Sequence, residues 1–153
     1  MTSVKIVEAS PFHVKPLADH MRDADRIEVL ASNGQTPEEA LRYSFESAVR
    51  AWTAIAGGEV ACMWGVSPGS LLAGVGVPWC LTGRPCDKIR VAFARGSLRA
   101  LDAMHETFPI LSSVVDARHV RAVKWLRWLG FSIEDAQPFG EDGMPFHAFW
   151  RLA

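Results

Sequence analysis

Apolar residues recur at two spacings along the chain, and one stretch carries both without a spare residue between them. From Leu111 to Phe131, Ser112 to Val115 read as a short extended run, after which Ala122, Val123, Leu126 and Leu129 repeat at helical spacing. Arg118, Arg121, Lys124 and Arg127 take the remaining positions and keep to water. Asp116 can offer a side-chain oxygen to the first free amides of that helix, and Gly130 stands where a left-handed cap would end it.

The same reading extends over the rest of the chain. Val4 to Val7 predicts a first strand, closed by Ser10-Pro11, a pair that caps and starts a helix. Pro16 leaves two arrangements: a helix starting at Lys15-Pro16, or a separate first turn with only Leu17 to Met21 regular. Met21 to Ser32 crowds Arg22, Asp23, Asp25, Arg26 and Glu28 ahead of the apolar Val29-Leu30, which reads as the entry to a hydrophobic strand. Thr36-Pro37-Glu38-Glu39 starts a second helix as cap, first-turn proline and returning glutamate, with Leu41, Phe45, Ala48 and Val49 as its buried face. Ala51 to Ala56 and Glu59 to Val66 form a hairpin about Gly57-Gly58, with Val60, Cys62, Trp64 and Val66 on one face.

Ser67-Pro68-Gly69-Ser70 predicts the next turn, and Leu71 to Leu81 follows as an apolar run broken by Gly74, Gly76 and Pro78. Proline gives no ladder hydrogen bond, so Pro78 marks either a sheet edge or a place where two strands part, and the sequence leaves both open. A long helix follows over Lys88 to about His105, with Ile89, Phe93, Leu101 and Met104 inward. Phe131 to Ile133 makes a further strand, Gly140 to Gly143 a turn, and Pro145 to Leu152 the last strand.

At 153 residues and 49% hydrophobic content, residues 1–153 are expected to form one domain that buries roughly 70% of its unfolded surface. A formal net charge of -1 argues against a protein whose main business is neutralising phosphates. The basic residues of the Leu111–Phe131 helix, with Trp125 and Trp128 between them, spread over half its circumference, so a solvated face is expected there instead of a nucleic-acid surface. Cys62, Cys80 and Cys86 lack a paired zinc spacing, and no His or Cys pair sits at ligand spacing, so no metal is expected. Neither a hydrophobic run long enough to span a bilayer nor a charged-then-apolar leader is present, so no membrane span or secretion signal is expected. Six tryptophans exceed what one small core needs and suit a partner surface.

The Leu111–Phe131 stretch resembles motif B of the GNAT superfamily of acyl-CoA N-acyltransferases, in which Ala122, Val123, Leu129, Gly130 and Phe131 match the strand-five to helix-four pattern. His119 stands where the family usually has asparagine, and Leu126 where many members keep the tyrosine that protonates the departing coenzyme A thiolate. Met21 to Ser32, Ser70 to Cys80, VDARHVRAVKWLRWLGF and Pro138 to Arg151 are also similar to the gene-thirteen family of short-tailed bacteriophages, a GNAT-like group associated with the internal virion or its assembly. The resemblance implies an α+β fold: a mixed, mostly antiparallel sheet of six or seven strands flanked by about four helices, with strands four and five splayed around the pantetheine of the cofactor.

It also implies a site. Trp79, Cys80 and Leu81 fall on strand four, whose amides would polarise an acetyl-CoA thioester. Arg84, Lys88 or Arg90 would supply charge for the pyrophosphate, because the family's glycine-bearing loop is not present in its usual form; the other arrangement has no cofactor. Glu28, as a carboxylate ahead of a hydrophobic strand, and His119, which titrates near neutrality, are the candidate bases; the bland alternatives are an ion pair of Glu28 with Arg22 or Arg26 and a capping or solvent-facing His119. Two uses follow from the resemblance: acetyl transfer to an amine, or a non-catalytic GNAT fold serving virion assembly or binding a virion or host protein. The expected location is the host cytoplasm or the assembling particle.

Overall fold

A computed structural model describes residues 2–153. Eight strands, β1 (Val4–Glu8), β2 (Arg50–Ala56), β3 (Glu59–Ser70), β4 (Val75–Thr82), β5 (Ile110–Asp116), β6 (Ser132–Ile133), β7 (Gln137–Phe139) and β8 (Met144–Leu152), form one sheet in the order β1-β2-β3-β4-β5-β8-β6, with β7 also paired to β8. All pairs are antiparallel except β4 with β5. Five helices flank it: α1 (Val14–Asp19), α2 (Asp23–Asn33), α3 (Pro37–Ser47), α4 (Arg90–His105) and α5 (Val120–Trp128). The expected α+β sheet with its splayed pair is therefore present, with β7 an addition.

Two apolar layers hold the helices to opposite faces. Val14, Leu17, Val29 and Leu41 of α1, α2 and α3 pack with Met63 and Leu81 on one face. Leu101 and Met104 of α4 and Val123 and Leu126 of α5 pack with Val66, Leu111, Val115 and Phe149 on the other. Burial at these positions, at about 25 cal/mol per Å² of apolar surface removed from water, is the main force holding the layers together.

Local chemistry explains where the elements differ from expectation. Pro16 lies inside α1, because a separate 3-10 turn over Pro11–His13, capped by Ser10, precedes a helix that starts at Val14. The proline thus falls in the first turn, where its missing amide would have had no intrahelical partner. Residues 23–33 form helix α2, not the approach to a strand: Asp23 and Asp25 favour its N-terminal end and Gly34, at φ 66°, ends it. The Thr36 capping box of α3 is formed as expected.

In the first hairpin a bulge opposite Ala54 and Ile55 inserts Ala61, so Val60 turns to the α1–α3 face while Cys62, Trp64 and Val66 keep to the other. The turn expected at Ser67–Ser70 is strand instead. β3 continues through Ser70, and the chain reverses at Leu71–Gly74, where Gly74 takes φ 69°. Asp116 bonds the amide of Arg118 at 2.8 Å, ahead of α5, and His119 at the helix N-cap makes no side-chain capping bond.

Candidate active site

β4 and β5 pair only at Val75 with Ile110 and Gly76 with Leu111. Beyond that they diverge, and Pro78 lies at the point of parting. The phase of the ladder follows from two bonds: Ile110 N–H donates to Gly74 O at 3.1 Å, and Thr82 N–H donates to Asp25 Oδ2 at 2.8 Å, so the even-numbered residues of β4 turn their backbone groups toward β5. The next donor in the parallel ladder would be the amide of residue 78, and proline has none. Of the even positions past the junction, Pro78 has no N–H and Thr82 is committed to Asp25, so Cys80 carries the one open amide on this parted edge.

A cleft of about 680 Å³ passes through the opening. Trp79, Cys80 and Leu81 line it from β4, Ser113 and Val115 from β5, Arg90 and Phe93 from α4, His119 from the N-cap of α5 and Trp125 from α5 itself. Arg84 and Lys88 lie elsewhere, in a hollow of about 230 Å³ with His20, Glu59 and Pro85. Among the three candidate cations, only Arg90 lines the cleft.

At the open end, α2 crosses from strand to strand. Asp25 accepts from Thr82 N–H at 2.8 Å and from its hydroxyl at 2.5 Å on β4. Glu28, one helical turn later, accepts from Asp116 N–H at 2.7 Å on β5. Glu28 is thus tied to a strand edge; the guanidinium of Arg26 donates to the carbonyls of Met21 and Ala18, and that of Arg22 pairs with Asp87 at 2.6 Å.

His119 meets both carboxylates: its Nδ1 lies 3.7 Å from Glu28 Oε2 and 3.8 Å from Asp25 Oδ1. Glu28 raises the imidazole above its ordinary value, against the lowering effect of burial, and Asp25 adds to the rise. Burial also pushes Asp25 up, partly offset by its bonds to Thr82. Burial works upward on Asp116 as well, but the two bonds from the Arg118 side chain, at 3.0 and 2.6 Å, and one from its amide hold the carboxyl below its ordinary value. One ligand atom from each of Asp25, Glu28 and His119 lies within 4.8 Å of the other two, a donor set that a divalent cation could use. Their sequence spacing gave no sign of it, because positions 25, 28 and 119 meet only through the sheet.

Chemically, this end of the cleft offers a proton acceptor made of an imidazole flanked by two carboxylates, and a strand amide free to polarise a carbonyl. Leu126, where the resemblance expects a tyrosine in many relatives, is 6% exposed within the α4–α5 layer. Tyr43, the chain's one tyrosine, lines the cleft from α3 and is 66% exposed.

No protein-family profile matches the chain, and no curated protein matches its sequence. Solved structures do. A ribosomal-protein-alanine N-acetyltransferase from Brucella melitensis superposes with a TM-score of 0.75 at 11% identity, covering 97% of this chain and 99% of that one. A spermidine N-acetyltransferase from Vibrio cholerae, in complex with CoA and spermine, gives 0.69 at 13% identity over 97% and 95%. A GNAT-family acetyltransferase from Streptococcus pneumoniae gives 0.63 at 16% identity over 98% and 99%. The sheet order, the parted β4–β5 pair and these superpositions together establish that the chain has the GNAT acetyltransferase fold.

Proposed function

We propose that the protein is an acetyl-CoA-dependent N-acetyltransferase acting on an amine. The observation that carries this reading is the open amide of Cys80 on a parted strand, facing a cleft that leads to the His119–Glu28–Asp25 cluster. Acetyl-CoA would supply the activated acyl group as a thioester. Trp79, Cys80 and Leu81 wall the slot, the Cys80 N–H is placed to donate to a carbonyl oxygen, and Arg90 supports an anionic portion at the cleft. As the amine nitrogen bonds the acetyl carbon and the C–S bond breaks, His119 takes the amine proton, Glu28 and Asp25 hold the imidazolium that results, and the coenzyme A thiolate leaves to be protonated by solvent; Asp25 and Glu28 also favour a cationic acceptor near the cluster. Solved relatives bearing this fold are named for acetylating spermidine and the alanine of a ribosomal protein.

A second reading has support in one residue. Leu126 leaves its position without the hydroxyl that would protonate a leaving thiolate, which suits a GNAT fold kept for binding. On the resemblance to the gene-thirteen phage family, that role is virion assembly or capture of a virion or host protein, in the host cytoplasm or the particle. Calorimetry with acetyl-CoA, followed by thioester consumption against a panel of primary amines, separates the two. Binding with turnover supports the enzyme, binding without turnover supports the second reading, and neither heat nor thermal shift at millimolar ligand removes the acetyl-CoA reading.

A further inference from the structure

Asp25 and Glu28 each spend one carboxylate oxygen on a strand. Asp25 Oδ2 accepts from the amide and hydroxyl of Thr82, and Glu28 Oε1 accepts from the amide of Asp116. Among the described residues nothing donates a hydrogen bond to the other two oxygens, Asp25 Oδ1 and Glu28 Oε2, and His119 Nδ1 is buried with no partner either. These three unspent atoms converge. Nδ1 lies 3.8 Å from Oδ1 and 3.7 Å from Oε2, both beyond hydrogen-bond length.

The surroundings leave this gathering short of positive charge. Asp25 is 3% exposed, and a buried carboxylate beside a second one is costly unless a cation meets it. The guanidinium groups nearest in sequence are turned elsewhere, that of Arg26 to the carbonyls of Met21 and Ala18 and that of Arg22 to Asp87. An imidazolium at His119 supplies one charge against two, without a hydrogen bond to either carboxylate.

Nitrogen and oxygen ligands of one four-coordinate zinc stand about 2.1 Å from the ion and therefore about 3.4 Å from one another. The separations around Nδ1 are only a few tenths of an ångström wider. A gap of that size shuts out water, with its radius of about 1.4 Å, and admits a small ion, so an Nδ1 closed to solvent belongs with a pocket of these dimensions. Calcium and magnesium prefer all-oxygen sets, whereas an imidazole with two carboxylates suits zinc or another small first-row transition ion.

We propose that Asp25 Oδ1, Glu28 Oε2 and His119 Nδ1 form a three-ligand site for a divalent transition ion of zinc's class, with the fourth position open to the cleft that all three residues line. Thr82 and Asp116 supply the outer bonds that aim the two carboxylates. The ion would take the place of the proton that Glu28 and Asp25 otherwise hold on the imidazole. This goes beyond the acetyl-transfer reading and stands or falls without it.

The protein, stripped of metal with a chelator, is titrated with zinc by calorimetry and with cobalt(II) by absorption. One equivalent of zinc should bind. His119→Ala and Glu28→Gln should each weaken binding at least about 100-fold, and Thr82→Val, which deletes only the hydroxyl bond to Asp25, about 10-fold. His147→Ala, at an exposed histidine bonded to the Glu134 carbonyl, should leave it unchanged. Cobalt should give the visible bands of a nitrogen and oxygen site without thiolate charge transfer, which separates this site from the free thiols of Cys62, Cys80 and Cys86. No zinc uptake by the wild type, uptake unchanged in folded His119→Ala and Glu28→Gln, or a thiolate-type cobalt spectrum overturns the site. If either variant does not fold, the wild-type cobalt spectrum decides.

Discussion

Asp25 and Glu28 stand one turn apart on α2 and hold opposite strands of the parted pair, Asp25 by the amide of Thr82 at 2.8 Å and Glu28 by the amide of Asp116 at 2.7 Å. The helix is thereby a crossbar at the wide end of the opening, while the short paired segment at Val75–Gly76 closes the narrow end. The second oxygen of each carboxylate faces His119, so the residues that set the width of the cleft also set the charge at its end.

Removing Asp25 should loosen one end of that crossbar. Asp25→Ala leaves the Thr82 amide and hydroxyl buried without an acceptor and should cost about 1–3 kcal/mol in urea unfolding. Asp25→Asn retains a carbonyl oxygen for the same donors and should cost clearly less. Equal losses in the two variants would show that the bond to Thr82 is not what matters at this position.

The cluster should give stability a slope with pH. His119 is raised above its ordinary 6.5, so the stabilisation from its charged form is complete below that value and disappears as pH rises through the folded-state value. Asp25 is raised from 3.8 by burial, so the folded state also disfavours its ionisation as pH rises. Both effects have the same sign: unfolding free energy should fall as pH rises, above about 3.8 for Asp25 and above about 6.5 for His119, and His119→Asn should flatten the later part of that fall. If His119 takes the amine proton, acetylation should rise over the same interval as the imidazole becomes neutral, and Glu28→Gln should move that rise to lower pH. A rate profile unmoved by Glu28→Gln would argue against His119 as the base.

Pro78→Ala restores an N–H aimed at β5. The ladder could then extend one bond beyond Gly76, narrowing the slot. Weaker acetyl-CoA binding is expected, together with slow hydrogen exchange at the new amide. Fast exchange there, with unchanged binding, would show that the strands part for reasons other than the missing donor.

Leu126→Tyr tests whether the position where the GNAT resemblance implies a tyrosine is open to a phenol here. The side chain sits in the α4–α5 layer with Leu101, Met104 and Val123, so the larger ring should cost about 1–3 kcal/mol of stability by overpacking. A neutral effect on the melting temperature would mean that the cleft already has room for it.

The Leu111–Phe131 stretch is legible because Val114, Leu126 and Gly130 each obey one local rule, a strand, a helix face and a helix stop, and the structure follows all three. Glu28 and His119 were legible as candidates, but not as neighbours, since nothing local links positions 28 and 119. Asp25 was missed because the segment read as the approach to a strand. Taken as a helix, positions 25 and 28 fall one turn apart on one face, and that signal was available. The Ala61 bulge left no trace in an alternating pattern that fits Val60 and Cys62 equally well on one face. The sequence leaves Pro78 at either an edge or a parting, and only the register between β4 and β5 distinguishes them.

β8, formed by residues 144–152, runs between β5 and the short β6 and β7, so an inner strand of this half of the sheet is supplied by a late segment of the chain. On a ribosome, β5, α5 and β6 emerge first and must wait with Leu111, Val115 and Phe131 uncovered until that segment follows. The half of the molecule that carries His119 is therefore the later of the two to be completed during synthesis, and its newborn form is the one most exposed to aggregation and to chaperones.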